Sequence, residues 1–210
     1  MTTLLTPIAA ATVPGPVALN VSSLDRALDF YTHGLGLTIL DQTGATARLG
    51  SGSTELLELH GDPGARRVRQ TAGLYHFALL VPSRAALGAA LRHLVEAGIA
   101  LQGASDHLVS EAIYLADPDG NGVEIYRDRE RAEWHHDGAF VRMATEPLDA
   151  QGVLAAAEPW SGALAAGTRM GHVHLHVADI AAAEAFYHGT LGFDITAHYG
   201  RAATFPSAGG

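Results

Sequence analysis

Histidines and carboxylates carry most of the chemistry that this sequence could perform. The 210 residues include 12 histidines and 22 acidic residues but no cysteine. Without thiols there is no disulfide, no thiolate metal site and no cysteine nucleophile, so a metal ion would have to bind imidazole nitrogen and carboxylate oxygen. Those ligands suit Fe(II), Mn(II), Ni(II) or Zn(II).

Three histidines alternate with apolar residues in the segment Gly171-His-Val-His-Leu-His-Val177. An alternation with period two is typical of a half-buried strand, and it places His172, His174 and His176 on one face. Such histidines can be ligands, or they can be partly exposed strand residues without a chemical role. From the spacing alone both interpretations stay open.

Two other motifs suggest chemistry that their surroundings do not support. Asp117-Pro-Asp-Gly-Asn-Gly122 begins like an EF-hand calcium loop, but both of its flanks alternate like strands, whereas an EF-hand needs two helices. The motif therefore predicts a hairpin turn. Asp106 and His107 lie close to Ser110 and Glu111, yet the sequence has no Gly-x-Ser-x-Gly nucleophile elbow, so a serine hydrolase is not favoured.

An internal repeat indicates which elements position these residues. The segment from Pro16 to Leu40 recurs 156 residues later without a gap, and nine of its 25 positions are identical. Each copy has alternating apolar residues, then a helical pattern closed by glycines, which predicts a β-α-β-β-β unit. In the first copy the predicted elements are a strand at 17–21, a helix at 24–32 and strands at 38–41, 45–49 and 55–59.

A weaker copy of the unit begins at Tyr75, at an offset of 60 residues from the first. Its predicted elements are a helix at 85–97 and strands at 99–102, 111–116 and 122–127. The third copy is incomplete, because Gly210 aligns with Thr54 and the last strand and a fourth unit are absent. We therefore predict a flexible leader (1–15), a first domain (16–129, with modules 16–60 and 75–129), a linker with one short helix (130–169) and the start of a second domain (170–210).

These motifs together resemble those of the vicinal oxygen chelate superfamily, which contains glyoxalases, bleomycin-resistance proteins and extradiol ring-cleaving dioxygenases. The resemblance is carried by the paired units, by Phe30-Tyr31 followed by Leu35-Gly-Leu37, and by Asp-Pro-Asp-Gly-Asn-Gly-Val-Glu124. The segments 104–111, 124–129 and 171–177 are similar to the two-domain, catechol-2,3-dioxygenase-like branch. The resemblance implies an α+β fold in which paired modules curl into half-open barrels.

The resemblance also implies which residues bind metal. The opening residue of each unit is often a metal-binding histidine in this superfamily, and here the equivalent residues are Pro16, His76 and His172. Because proline cannot coordinate a metal, His76, Glu58 and Glu124 of the first domain are interpreted as a retired site.

In the branch that this chain resembles, the second domain holds iron with two histidines and one glutamate. His172 matches the first of those ligands. His174 and His176 could hold a metal ligand or the substrate in place without binding the metal, although a structural role is the simpler interpretation for both. The other ligands and the acid–base residues are expected in the absent fourth module, so the catalytic residues stay unknown at this stage.

The expected activity is metal-dependent extradiol cleavage of a catechol-like aromatic diol by O2, with Fe(II) as the expected metal, in aromatic catabolism. Two alternatives stay open: a non-catalytic binding protein of the same fold, and a glyoxalase-type lyase or isomerase, which Pro16 disfavours.

Charge and hydropathy limit the partners that this chain could have. The net charge of −9 disfavours nucleic acid, and no apolar run approaches the roughly 18 residues of a membrane helix. We expect a cytoplasmic protein. Because the third unit would leave a sheet edge unpaired, we also expect either a longer natural chain or a homodimer.

Overall fold

The first β-α-β-β-β unit forms a four-stranded sheet. The computed structural model describes residues 6–66, 68 and 71–209. The strands of this unit pair in the order β1-β4-β3-β2, with β1 parallel to β4. Its elements are β1 (Val17–Val21), α1 (Leu24–Asp29), β2 (Thr38–Thr43), β3 (Thr46–Ser51) and β4 (Thr54–Gly61). The predicted helix is α-helical only as far as Asp29 and continues as a π-helical turn, Phe30–Gly34.

The second unit repeats this plan. Its elements are β5 (Gly73–Leu80), α2 (Arg84–Glu96), β6 (Leu101–Asp106), β7 (Ser110–Ala116) and β8 (Gly122–Asp128). Strand β8 lies parallel to β5, as β4 lies parallel to β1. The registers match as well, because Ala18 is opposite Glu58 in one sheet and Ala78 is opposite Glu124 in the other. The predicted α+β class and its repeated unit are confirmed.

The turn between β7 and β8 fastens the second unit to the first. The hydroxyl of Tyr31 donates to the buried carboxylate of Asp117 at 2.9 Å. Asp119 accepts hydrogen bonds from the backbone and the hydroxyl of Ser22, both at 2.6 Å, and pairs with Arg26. The motif that begins like a calcium loop therefore joins two strands and binds the start of α1.

The segment between the second and third units, which was predicted as a linker, packs against both earlier units. Val153 and Leu164 are buried in the common core, and the Leu164 amide donates to the Gly36 carbonyl. Trp160 stacks on His93 at a ring distance of 4.2 Å. The segment contains a 3-10 turn (Arg131–Glu133), β9 (His136–Asp137), β10 (Phe140–Val141), β11 (Glu146–Pro147) and α3 (Ala150–Ala155).

The third unit supplies an edge strand to the sheet of the second. Its elements are β12 (Arg169–His176), α4 (Ile180–Tyr187), β13 (Asp194–Tyr199) and β14 (Ala203–Ser207). Strand β12 pairs antiparallel with β5, so the second sheet has six strands in the order β11-β6-β7-β8-β5-β12. Strands β13 and β14 form a separate hairpin. The strand that was predicted to begin a second domain therefore lies directly beside the second unit.

The six-stranded sheet has one apolar face and one mixed face. Phe77, Leu79 and Ile125 are fully buried or nearly so in a core that also contains residues of α2 and of the first sheet. Burying each such side chain contributes about 1.5–3 kcal/mol, which fixes the sheet against the first unit. On the opposite face, a small cluster around Ala78 and Tyr126 leaves room for polar side chains. Among the described residues, no helix is long and apolar enough to cross a membrane.

Candidate metal centre

A β-bulge at Gly171 turns His172 to the mixed face of the six-stranded sheet. Met170 lies opposite Leu79 and is buried in the core, whereas His172 lies opposite Ala78, so Gly171 is an extra residue on β12. Without it, strict alternation would place Met170 and His172 on the same face. A β-carbon at position 171 would lie 2.1 Å from the hydroxyl oxygen of Tyr126, so only glycine fits there unless the strand or the Tyr126 side chain shifts.

A second bulge lies on β5 at Tyr75. His76 is opposite His174, but the next pair along the strands is Leu74 with Leu175, which leaves Tyr75 as the extra residue. The two bulges lie on opposite strands, so together they restore the register after one residue has been added to each. Both bulges are next to residues of the candidate site, where bulges commonly re-aim a side chain.

Three side chains converge on the mixed face. Nε2 of His76 lies 3.0 Å from Oε2 of Glu124, and Nε2 of His172 lies 3.1 Å from the same oxygen. All three potential ligand atoms lie within 4.8 Å of one another. His76 and Glu124 are buried, whereas the His172 side chain is 42% exposed. Two of the three side chains are therefore buried in the sheet, and the cluster is accessible to solvent on the side of β12.

The electrostatics of the cluster favour an anionic carboxylate beside two imidazoles. Burial raises the pKa of Glu124, but His172 and His76 outweigh burial and bring it to about 2. Although Nε2 of His76 is close to this carboxylate, it is buried and has no hydrogen-bond partner among the described residues. Leaving such an atom unpaired costs free energy, and a cation between the nitrogen and the carboxylate would satisfy both.

The three residues fit a divalent metal ion of the two-histidine, one-carboxylate type. That ligand set leaves several coordination positions open and is characteristic of non-haem Fe(II) oxygenases. The exposed side of His172 is where a small molecule could reach those positions. A concavity of about 570 Å³ lies elsewhere, between β10, α4 and β13, and the cluster itself lies on an open sheet face.

Two tyrosines that keep their hydroxyl protons, Tyr114 and Tyr126, flank the cluster. Burial, followed by the nearby Glu124 carboxylate, raises the pKa of Tyr114, and burial, followed by Asp128 and Glu124, raises that of Tyr126. The ring of Tyr126 packs on His172 at 5.0 Å. Both phenols therefore keep their protons at neutral pH, and each has one hydrogen to donate.

His107 holds the hydroxyl of Tyr114. Nδ1 of His107 lies 2.8 Å from the Ala144 carbonyl oxygen, and Nε2 lies 2.7 Å from the Tyr114 hydroxyl. Because a carbonyl can only accept, the proton belongs on Nδ1, which leaves Nε2 to accept from Tyr114. Sequence reasoning considered His107 in a hydrolase-like motif and within the segment 104–111 that carries the family resemblance, but gave it no catalytic role and overlooked Tyr114. The available signal was the alternation of side chains along β7, which places Tyr114 on the same face as Ala112.

The two remaining histidines of β12 lie on the same face as His172. The ring of His174 meets that of His76 at 4.8 Å, and His176 meets Tyr75 at 4.6 Å. Burial, with the charges of the neighbouring histidines, lowers the pKa of His174 to about 4. His174 is therefore neutral at pH 7 and packs behind the cluster.

The residues predicted for the first domain are divided between two places. His76 and Glu124 join His172, which the sequence had assigned to a different domain. Glu58 lies on β4 of the other sheet, where its carboxylate pairs with His60 at 3.1 Å. Its register in the first unit is that of Glu124 in the second, and Pro16 precedes β1 at the position equivalent to His76.

The sequence matches two family models that together cover the units described above. Residues 14–125 match the Glyoxalase/Bleomycin resistance protein/Dioxygenase superfamily, and residues 169–205 match the N-terminal region of bleomycin resistance-like proteins. The chain therefore belongs to the glyoxalase/bleomycin resistance/dioxygenase superfamily. The predicted membership is confirmed.

The individual proteins that resemble this chain include a sequence relative and several solved structures. The chain is 46% identical over 203 residues to the catechol-2,3-dioxygenase of Bacillus subtilis strain 168, an alignment that covers 93% of this chain and 70% of the relative. This similarity supports the dioxygenase family. Among solved structures, a glyoxalase/dioxygenase from Nostoc punctiforme matches with 23% identity and a TM-score of 0.48, covering 62% of this chain and 99% of that one. A protein from Alicyclobacillus acidocaldarius of the same general class matches with 20% identity and a TM-score of 0.47, covering 59% and 96%.

Proposed function

We propose that this protein is an Fe(II)-dependent extradiol dioxygenase that cleaves a catechol-like aromatic diol with O2. The observation that carries the proposal is the convergence of His76, Glu124 and His172, with a buried histidine nitrogen that lacks a hydrogen-bond partner. The similarity to a catechol-2,3-dioxygenase supports the same reaction class. In this proposal His76 and Glu124 are working ligands, not remnants of a retired site.

The metal would supply adjacent open positions at which the two diol oxygens and O2 can meet. The chain's own residues then have separate tasks. His76 and Glu124 are buried in the sheet and would fix the ion, whereas His172 closes the ligand set from the edge strand. Two neutral imidazoles and one carboxylate leave a net positive charge on a divalent ion, which favours binding of an anionic diol.

A proton must leave the diol when it binds, and the His107–Tyr114 pair is suited to hold it. Nε2 of His107 already accepts from the Tyr114 hydroxyl, so a proton that reaches Tyr114 can pass to His107 in one step. The Ala144 carbonyl stabilises the imidazolium that results, because it accepts from Nδ1. We assign the pair an acid–base role on this basis.

The test is an oxygen-dependent ring-cleavage assay. After anaerobic loading with Fe(II), we expect catechol to give a yellow ring-cleavage product, and we expect a chelator to abolish the reaction. His76→Ala, Glu124→Ala and His172→Ala should each reduce the rate at least a hundredfold. Glu58→Ala is the matched control, because Glu58 has the same register in the other sheet.

The outcomes separate the candidate functions. A rate that is unaffected by the three substitutions would contradict the assignment of the site. Tight metal binding without ring cleavage would favour the alternatives of a binding protein or a glyoxalase-type enzyme.

We also propose that two chains associate. Strand β12 is an edge strand of the six-stranded sheet. Val173 on this strand and Val177 just after it are exposed, at 42% and 40%. An unpaired edge with exposed apolar residues is a template for another strand. Light scattering should give twice the mass of one chain, and a stable monomer at micromolar concentration would contradict this expectation.

A further inference from the structure

Tyr75 lies on the mixed face, beside the candidate ligands, only because of the bulge on β5. Regular alternation would place it on the face opposite to His76. As the extra residue between the pairs His76–His174 and Leu74–Leu175, it is released from that alternation. Its ring then meets His76 at 5.2 Å, His174 at 5.0 Å and His176 at 4.6 Å.

Tyr75 as a residue is nevertheless half exposed, at 51%. Tyr75 therefore contacts three histidine rings and still leaves part of its surface accessible beside the candidate ligand cluster. The ring of His76 contacts both the Tyr75 ring, at 5.2 Å, and the Tyr114 ring, at 5.8 Å, so the two tyrosines lie on either side of this candidate ligand. The free surface therefore borders the region that a molecule bound to the metal would occupy.

We propose that Tyr75, with His176 stacked against it, is an aromatic wall that packs on the ring of the substrate and sets a preference for aromatic over aliphatic ligands. The inference rests on the proposed function, since it assumes that a ligand occupies the His76–Glu124–His172 centre. Tyr75 would act as a positioning residue. It stacks on the ring while the two oxygens of the ligand bind at the metal.

The experiment compares two chelators with the same metal-binding group. Acetohydroxamate and benzohydroxamate both bind a metal through two oxygens, and only benzohydroxamate has an aromatic ring. Calorimetric titration of the full chain loaded with Zn(II) gives a dissociation constant for each, and their ratio measures the contribution of the ring independently of ring-cleavage activity. Aromatic pairs account for about three- to tenfold in affinity, so Tyr75→Leu should reduce the ratio by that factor.

Two variants control for the loss of a tyrosine. Tyr75→Phe retains the stacking surface and should keep the ratio within about twofold of the wild type, because phenylalanine has the same six-membered aromatic ring. Tyr199→Leu removes an equally exposed tyrosine, 55% accessible, on β13 and should leave the ratio unchanged. A ratio unchanged in Tyr75→Leu would overturn the proposal.

Two further outcomes also decide whether Tyr75 contacts the ligand. If Tyr75→Leu does not fold, nuclear Overhauser effects between the phenyl protons of benzohydroxamate and the Tyr75 ring of the wild-type Zn(II) protein decide the question, and their absence overturns the proposal. If neither hydroxamate binds the wild type, the metal centre itself is refuted, and the role of Tyr75 falls with it. Binding of both with no effect of Tyr75→Leu refutes the aromatic wall alone.

Discussion

At the scale of single residues, the candidate centre depends on one glycine that has no chemistry of its own. Gly171 adds a residue to β12, and this change of phase moves His172 from the core face to the face of Glu124. The Tyr126 hydroxyl then occupies the space where a β-carbon would be. The position of His172, a candidate ligand, therefore depends on the neighbouring bulge as well as on the residue itself.

Gly171→Ala should therefore weaken metal binding at a distance from the metal. The added β-carbon would lie 2.1 Å from the Tyr126 oxygen, so β12 or the tyrosine must move. We expect a cost of about 1–3 kcal/mol in the free energy of unfolding and at least a tenfold loss of Zn(II) affinity. Denaturant unfolding and calorimetric titration measure the two effects. Gly103→Ala, on β6 with no atom within 4 Å of the added carbon, is the control, and equal behaviour of the two variants would contradict this account.

At the scale of elements, a buried carboxylate joins α2 to the six-stranded sheet. Glu111 on β7 accepts from Arg84 of α2 at 2.9 Å and from Arg127 of β8 at 2.7 Å. Its side chain is 2% exposed. Burial raises the pKa of Glu111, but the hydrogen bonds from Arg84 and Arg127 outweigh it, so the pKa is lower than the ordinary value of 4.5.

Glu111→Gln should destabilise the fold and flatten its dependence on pH. Arg84 and Arg127 would each lose the buried carboxylate, although Arg84 keeps its contact with Asp149, at a cost of about 3 kcal/mol in the free energy of unfolding at pH 7. Because the pKa is lowered in the folded state, the stabilisation is present above the unfolded-state value of 4.5 and is lost as the pH falls below it. Urea unfolding between pH 7 and pH 3 measures both effects. Glu55→Gln, which removes an exposed pair with Arg48, should change the stability by less than about 1 kcal/mol.

At the scale of the whole molecule, the second and third units both contribute residues to the candidate metal centre. The sequence predicted the unit and most of its strands, because hydrophobic alternation and glycine positions are local signals. It also identified His76, Glu124 and His172 individually as candidate ligands. Which strand pairs with β5 was not predictable, because period-two alternation in β12 describes its faces but not its neighbour.

The bulges were likewise outside the reach of sequence periodicity. Val173, Leu175 and Val177 alternate regularly, yet the change of phase occurs earlier, at Gly171, where a glycine is compatible with many conformations. The alignment of the third copy with the first led to the expectation that His172 needs a fourth unit. In the structure β12 pairs with the free edge of β5, so His172 lies beside His76 and Glu124 of the second unit.

The most direct test of the shared centre is the stoichiometry of metal binding in single-ligand variants of the full chain. Calorimetric titration of the metal-free wild type with Zn(II) should give one site per chain. His76→Ala, Glu124→Ala and His172→Ala should each weaken that site at least a hundredfold, and Glu58→Ala should bind as the wild type does. If His76→Ala and Glu124→Ala bind metal normally and only His172→Ala fails, the ligand set does not span the two units, and the account is wrong.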